Sequence, residues 1–290
     1  MQLVLRDRAL ALDRHVAVMA IVNRTPDSFY DRGATFALDT AVEHALAQVD
    51  AGADLIDVGG VKAGPGDAVT PACERERIVP FVEAFRARST ALLSVDTYRP
   101  EIAAAALDAG ADLVNDVSGL ADPELADVVA ERPGTGLVVM HAGGPPRTRP
   151  FRPSYHPDVT TVVRDELEQL AAQAQERGVP ASGLVVDPGH DFGKNTYHSL
   201  ELTRRLAEIA ALGFPVLVAL SRKDFLGETL GVDVAPADRL EASLAAAALA
   251  VAHGARILRV HDTAATVRVA RTVAAILGLQ PPAVAVRGLT

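Results

Sequence analysis

The sequence predicts an α/β chain folded as a (β/α)8 barrel, with a short N-terminal β-hairpin closing the bottom. Three observations predict it. Apolar runs rich in β-branched residues recur eight times along the 290 residues. Alanine-rich segments with helical spacing lie between them, several ending in a glycine suited to a left-handed helix C-terminus. The tetrapeptide Ala-Gly-Ala-Asp joins a helical segment to an apolar run at 51–54 and again at 109–112. Eight strand–helix units in a chain of this length favour a closed barrel over an open doubly wound sheet. Runs that are apolar throughout suit parallel strands covered on both faces.

Taken in order, residues 1–14 carry two short alternating runs around Arg6-Asp7-Arg8, the expected hairpin. The strands follow at 17–23, 54–60, 91–97, 112–119, 136–141, 183–189, 215–221 and 256–262, each a short apolar run closed by turn residues. Helical spacing covers 40–52, 100–110, 159–178, 200–213 and 237–254. No linker divides the chain, so 1–280 is expected to be one domain and 281–290 a frayed tail.

Composition narrows the function classes. A net charge of -9 argues against the basic face of a nucleic-acid binder, though not against small anions held by local cations. With 49% apolar and 22% charged residues the chain can build a large core, and disorder is not expected. The single cysteine, Cys73, excludes an intrachain disulfide and suits a reducing cytosol. Charges every few residues in the first fourteen do not resemble a signal peptide. No apolar run reaches the ~20 residues of a membrane span. A cytoplasmic protein without membrane contact is therefore expected. The small residues of 240–255 permit close helix–helix approach, either across a homodimer seam or within the outer barrel.

The strands end alike: apolar residues, a polar group, then a loop. The ends bring Asn23, Asp57, Asp96, Asn115 with Asp116, His141, Asp187, Ser221 with Lys223, and Arg259 with His261. A (β/α)8 barrel gathers all of these on its C-terminal face, where such enzymes build their sites. One polar strand end is ordinarily a helix cap or a satisfied backbone contact. Asp96 and Asp187 taken singly read as buried carboxylates on backbone amides, Asn115 as a cap, and Arg222 and Lys223 as solvated cations. Eight convergent ends are hard to explain that way. Aspartate and asparagine can pair with a planar ring bearing amino and lactam groups, and an arginine plane can stack on it. Asparagine, histidine, arginine and a divalent cation can hold a diphosphate. The constellation points to a nitrogen heterocycle plus phosphate. No nucleophile–base pair and no zinc-type spacing stands out.

These motifs, NRTPDSFYDRG (23–33), GADLIDVGG (52–60), SVDTYRPEIA (94–103), GADLVNDVSG (110–119), VVMHAGG (138–144), VDPGHDFGKN (186–195), LSRKDFLGE (220–228) and RVHD (259–262), resemble those of the dihydropteroate synthases, in order and over almost the whole chain. The resemblance implies a (β/α)8 barrel, a homodimer and Mg2+ dependence. It implies condensation of 6-hydroxymethyl-7,8-dihydropterin diphosphate with 4-aminobenzoate and release of diphosphate. By motif, the pterin pocket would comprise Asp96, Asn115, Asp187 and Lys223, with Arg259 stacking on the ring. Asn23 would hold Mg2+ on the diphosphate, with Arg259 and His261 on its oxygens. Ser221 would meet the aminobenzoate, and Asp27 and Phe29 would complete that site from a lid formed by the first loop. The catalytic set would be Lys223, Arg259 and His261, and charge stabilisation would supply most of the catalysis.

The second loop departs from the family. Where members usually carry GGESTRPG, this chain has Gly59-Gly60-Val61-Lys62-Ala63-Gly64-Pro65-Gly66. Losing one charge-assisted contact to the leaving diphosphate costs about 2.7–4 kcal/mol, on the scale of one oxyanion donor. Arg24, His190, Asp191 and Asp224 are further departures around the same rim. Two readings stand at this point. In one, Arg24 and Lys62 replace the lost cation and a synthase of reduced activity results. In the other, the chain is a weak or inactive paralogue with a pterin-like ligand, similar to the second synthase-like copy of actinobacteria such as mycobacteria. A methyltetrahydrofolate-type pterin-binding domain and a non-enzymatic folate-derivative sensor are the remaining alternatives.

Overall fold

Alternation along the strands builds the architecture. In the computed structural model, residues 1–25, 35–62, 64–148, 154–231 and 234–288 are described. The elements run β1 (Leu3–Leu5), β2 (Arg8–Leu10), β3 (Ala17–Asn23), α1 (Leu38–Asp50), β4 (Leu55–Gly59), α2 (Pro71–Arg86), β5 (Leu92–Asp96), α3 (Pro100–Ala109), β6 (Leu113–Asp116), α4 (Glu124–Ala130), β7 (Gly136–Met140), α5 (Val159–Glu176), β8 (Leu184–Asp187), α6 (Thr196–Arg204), α7 (Leu206–Ala210), β9 (Val216–Val218), α8 (Asp224–Leu230), α9 (Leu240–Ala252), β10 (Ala255–Val260) and α10 (Thr263–Ile276). Strands β3 to β10 close into a barrel in sequential order, β10 pairing with both β9 and β3. Every pair in it is parallel. The expected fold class is observed.

Successive residues of a strand point to opposite faces. Val18, Ala20, Val22, Ile56, Val58, Leu93 and Val95 therefore join the layer between barrel and helices, packed with Ile78, Phe81 and Phe85 of α2. Ala17, Met19, Leu55, Leu92, Leu113, Val138, Val185, Leu217 and Ile257 fill the barrel interior. That interior cluster also holds Leu3, Leu5 and Leu12, so the antiparallel β1–β2 hairpin plugs the lower end. Asp112 fixes the plug to the barrel: its Oδ1 pairs with Arg6 Nε at 2.9 Å, and its Oδ2 accepts from Leu93 N at 2.9 Å and from Arg86.

The predicted helix at 200–213 is observed as two, α6 and α7, because Arg205 between them leaves helical dihedrals (φ -103°, ψ 18°). Its guanidinium binds Glu201, Glu208 and Asp158 instead. No helix among the described residues is long and apolar enough to cross a membrane.

Candidate functional site

Strand register sets the site in tiers above the apolar interior. Asn23 lies opposite Gly59, Gly59 opposite Asp96, and Asp96 opposite Asn115. One pleat below, Asp57 lies opposite Ile21 and Ser94. Across the barrel Asp187 pairs with Met140. The inward positions thus change from apolar to polar near the C-terminal ends, and the polar tier opens into a cavity of about 270 Å3.

Its floor is an ion-pair network. Arg259 donates from Nε to Asp57 Oδ2 at 2.6 Å and from Nη2 to Asp96 Oδ2 at 2.8 Å. Asn115 Nδ2 donates to the same Asp57 oxygen at 3.3 Å. Burial lowers the Arg259 pKa, but Asp57 and Asp96 outweigh it and the net direction is up. Burial pushes Asp96 up to about 7, with Arg259 opposing and Asp57, Glu74 and Asp116 adding to the rise. Asn115 Oδ1 is buried without a hydrogen-bond partner. A buried acceptor left open in a cavity wall calls for a donor from a ligand.

The opposite wall comes from β8, β9 and their loops. Asp187 Oδ1 accepts from Gly189 N at 2.8 Å. Burial raises its pKa, opposed first by Lys223. The Lys223 ammonium donates to the His190 carbonyl and lies 4.9 Å from the centre of the Phe192 ring. His261 Nδ1 and Ser221 Oγ are 3.1 Å apart. Burial, then Arg259, lowers His261 to about 4, so its ring is neutral near pH 7.

The loop after β8 is held tightly. Gly189 has φ +66°, and a Cβ there would lie 2.1 Å from the His141 carbonyl oxygen, so only glycine fits. Below it Lys194, 1% exposed, donates to the carbonyls of Gly189 (2.9 Å) and Phe192 (2.8 Å) and to His141 Nδ1 (2.8 Å). This caged side chain fixes the backbone that carries His190, Asp191 and Phe192, and burial pushes its pKa well below the usual lysine value.

Of the predicted site residues, Asn23, Lys62, Asp96, Asn115, Asp187, Ser221, Lys223, Arg259 and His261 line the one cavity. Asp27 and Phe29 lie outside the described residues, as does Ala63. Arg24 is a correction to the compensation reading. It is absent from the cavity wall; its guanidinium donates to the carbonyls of Arg77 (2.6 Å) and Phe36 (2.8 Å), which bury it between the loop after β3 and α2. His141 and Asp116 also turn away. His141 faces Lys194 and, through Nε2, Glu166 at 3.0 Å. Asp116 accepts from Ser118 N at 2.8 Å and Leu120 N at 2.6 Å, the cap that a single polar strand end suggests. Arg222 is not solvated: it is 3% exposed and binds Asp262 and the carbonyls of Pro236 and Ala237.

Sequence reasoning did not assign Ile21, Thr25, Val117, Met140, Phe192 and Ala219 to the wall; Asp191 and Asp224, read as departures around the rim, line it too. Alternation signals part of them, since Ile21 stands two residues before Asn23 and Ala219 two before Ser221. Asp57, noted as a strand end, belongs to the network beneath the ligand space.

The donor set bears on a metal. Mg2+ takes oxygen ligands in octahedral array and commonly keeps waters and substrate phosphates. Among the described residues no group of three or more His, Cys, Asp or Glu is arranged for a metal. Asn23 offers an amide oxygen at the rim. One amide oxygen fits a cation that brings most of its shell with it, not one held by the chain alone.

Comparison with known proteins agrees with this geometry. The family model described as "Pterin binding enzyme" matches residues 19–261. The chain is 54% identical over 294 residues to the "Inactive dihydropteroate synthase 2" of Mycobacterium leprae, covering 100% of both chains. It is 41% identical to the dihydropteroate synthase of Escherichia coli, covering 91% of this chain and 92% of that one. Among solved structures, the Yersinia pestis dihydropteroate synthase with a sulfonamide drug superposes with a TM-score of 0.90 at 36% identity, covering 97% of this chain and 100% of that one. The Xanthomonas albilineans dihydropteroate synthase in complex with 7,8-dihydropteroate gives a TM-score of 0.83 at 39% identity, covering 96% and 99%.

Proposed function

The chain belongs to the pterin binding enzymes, as a barrel of dihydropteroate synthase type, and from that premise we propose that it binds a pterin ring in the floor and carries out the synthase condensation only weakly. Asp96, Asn115 and Asp187 accept from the ring's N–H groups, Lys223 meets a ring acceptor, and Arg259 stacks on the ring. Asn23 would hold a Mg2+ that neutralises the diphosphate, Arg259, His261 and Lys62 would meet the diphosphate oxygens, and Ser221, Asp27 and Phe29 would meet the 4-aminobenzoate. Diphosphate leaves and the amine nitrogen attacks the exocyclic carbon, so catalysis rests on stabilising charge that departs.

The observation that carries the weakened activity is the placement of Arg24. Its guanidinium is spent on two backbone carbonyls. Lys62 is then the cation that the altered second loop brings to the cavity, beside Gly64. Arg259 cannot make up the deficit alone, being committed to Asp57 and Asp96. A missing charge-assisted contact of this kind lowers turnover by roughly a hundred- to a thousandfold.

A second reading, a pterin binder without turnover, is favoured by the two carboxylates Asp191 and Asp224 in the wall beside Lys223. The mycobacterial relative's name points the same way. Diphosphate release from 6-hydroxymethyl-7,8-dihydropterin diphosphate, 4-aminobenzoate and Mg2+ separates the readings. Slow, Mg2+-dependent release supports the weakened synthase; none supports the binder; turnover equal to that of the Escherichia coli enzyme sinks both. The same reading takes residues 1–280 as one domain of a cytoplasmic homodimer. The apolar, alanine-rich α9, with Leu249 46% exposed, supplies the seam.

A further inference from the structure

Asp191 stands in the left-handed region (φ 66°), which glycine occupies freely and a side-chain-bearing residue occupies at a cost. Strain kept in a cavity wall points to a use for the side chain. The carboxylate is fixed in place. Its Oδ2 accepts from Asp224 N, the first residue of α8, at 2.9 Å, and Asp191 N donates to Ser199 Oγ at 3.2 Å. Both Asp191 and Asp224 line the cavity next to Lys223. Asp224 adds a second carboxylate, itself held by Arg239 Nη1 at 2.9 Å.

The charges on this wall are therefore matched from within the chain. Lys223 has Asp187 and Asp191 as electrostatic neighbours. Arg259 has Asp57 and Asp96. Lys62 follows β4, four strands from β8 in the closed order and so across the barrel from Asp191.

We propose that Asp191 sets the ligand preference of this cavity: its built-in carboxylate beside Lys223 favours pterin-class ligands whose side arm is uncharged or cationic and weakens binding of those whose arm ends in a carboxylate, which limits the condensation with 4-aminobenzoate without abolishing it. The inference rests on the pterin reading above and names the ligand class within it. An anion entering this wall meets a fixed negative charge that already holds the backbone N–H of Asp224, so it gains neither that donor nor an unmatched lysine.

The test compares the full chain with Asp191→Asn and Asp191→Gly, by calorimetric titration with 6-hydroxymethylpterin, which has an uncharged arm, and pteroic acid, whose arm ends in a carboxylate. Glycine suits the left-handed backbone, so that variant keeps the loop; asparagine keeps the hydrogen-bonding geometry and removes only the charge. The expected result is a rise of roughly tenfold or more in pteroic acid affinity in both variants, with 6-hydroxymethylpterin affinity changed less than about twofold. Equal shifts for both ligands, or none, overturn the role of Asp191 while the pterin reading stands. Failure of every chain to bind 6-hydroxymethylpterin sinks the pterin reading and this inference with it.

Discussion

Replacing Arg259 by methionine tests the floor network directly. The substitution keeps most of the side-chain volume and removes a cation that bridges Asp57, 0% exposed, and Asp96, 8% exposed. Breaking a buried pair from one side costs about 3–5 kcal/mol, because a charge is left without compensation. Here one arginine serves two carboxylates, so the upper part of that range is expected. At about 2–4 °C per kcal/mol for a chain of this size, the melting temperature falls by roughly 10 °C or more. The loss also depends on pH. Asp96 already sits up at about 7 by burial, with Arg259 holding it down in part; without the arginine it goes higher. A carboxyl raised in the folded state binds more protons there than in the unfolded chain, so stability is lost as pH rises through its folded pKa. The deficit of Arg259→Met against wild type should therefore grow above about pH 7, by up to roughly 1.4 kcal/mol per pH unit, and be smaller near pH 6. Thermal and urea unfolding across that range, each on both proteins, measure it. A deficit below about 1 kcal/mol, or one equal at about pH 6 and pH 9, would show that Arg259 does not hold Asp57 and Asp96 in this way.

Three further outcomes follow from the same structure. His261 and His141 are each lowered by burial to about 4, so acid must charge them on unfolding. Their contribution to stability is complete above about 6.5 and is lost as pH falls toward 4, and His261→Asn should flatten the acid limb of a stability–pH curve relative to wild type. Asp112→Ala removes the acceptor shared by Arg6, Arg86 and Leu93 N at the barrel bottom. It should cost about 3 kcal/mol in urea unfolding and leave pterin affinity unchanged, because the residue lies at the end remote from the cavity. Lys62→Ala should leave stability within about 0.5 kcal/mol, as expected for a partly exposed loop residue, while weakening affinity for the pterin diphosphate and not for the pterin.

The barrel was legible in the sequence because its cause is local and repeated. Each strand is apolar on both faces, and both faces are covered. The polar strand ends were legible as a set for the same reason, since closure brings them to one rim whatever each side chain does. What they do individually was not legible. Arg24, His141 and Asp116 are all polar groups at strand ends, and none enters the cavity. Their partners, the carbonyls of Arg77 and Phe36, the Lys194 amine nitrogen, and the Ser118 and Leu120 amides, are set by how loops pack. Only the Asp116 cap is short-range in sequence. Phe192 escaped for the converse reason: it sits in a loop shaped by Gly189 and the buried Lys194, where no strand or helix period applies. The break at Arg205 has no signal in the apolar pattern, and its pairs with Glu201 and Glu208 sit at spacings that a continuous helix also allows.

On the proposed function, the pterin floor is kept while the means of holding and expelling diphosphate is reduced. Calorimetric titration of the chain with 6-hydroxymethyl-7,8-dihydropterin, and with its diphosphate in the presence of Mg2+, tests this most directly. Both should bind, with the diphosphate adding less than about tenfold in affinity, or ~1.4 kcal/mol. A diphosphate that tightens binding by a hundredfold or more, or a pterin that fails to bind at all, would contradict it.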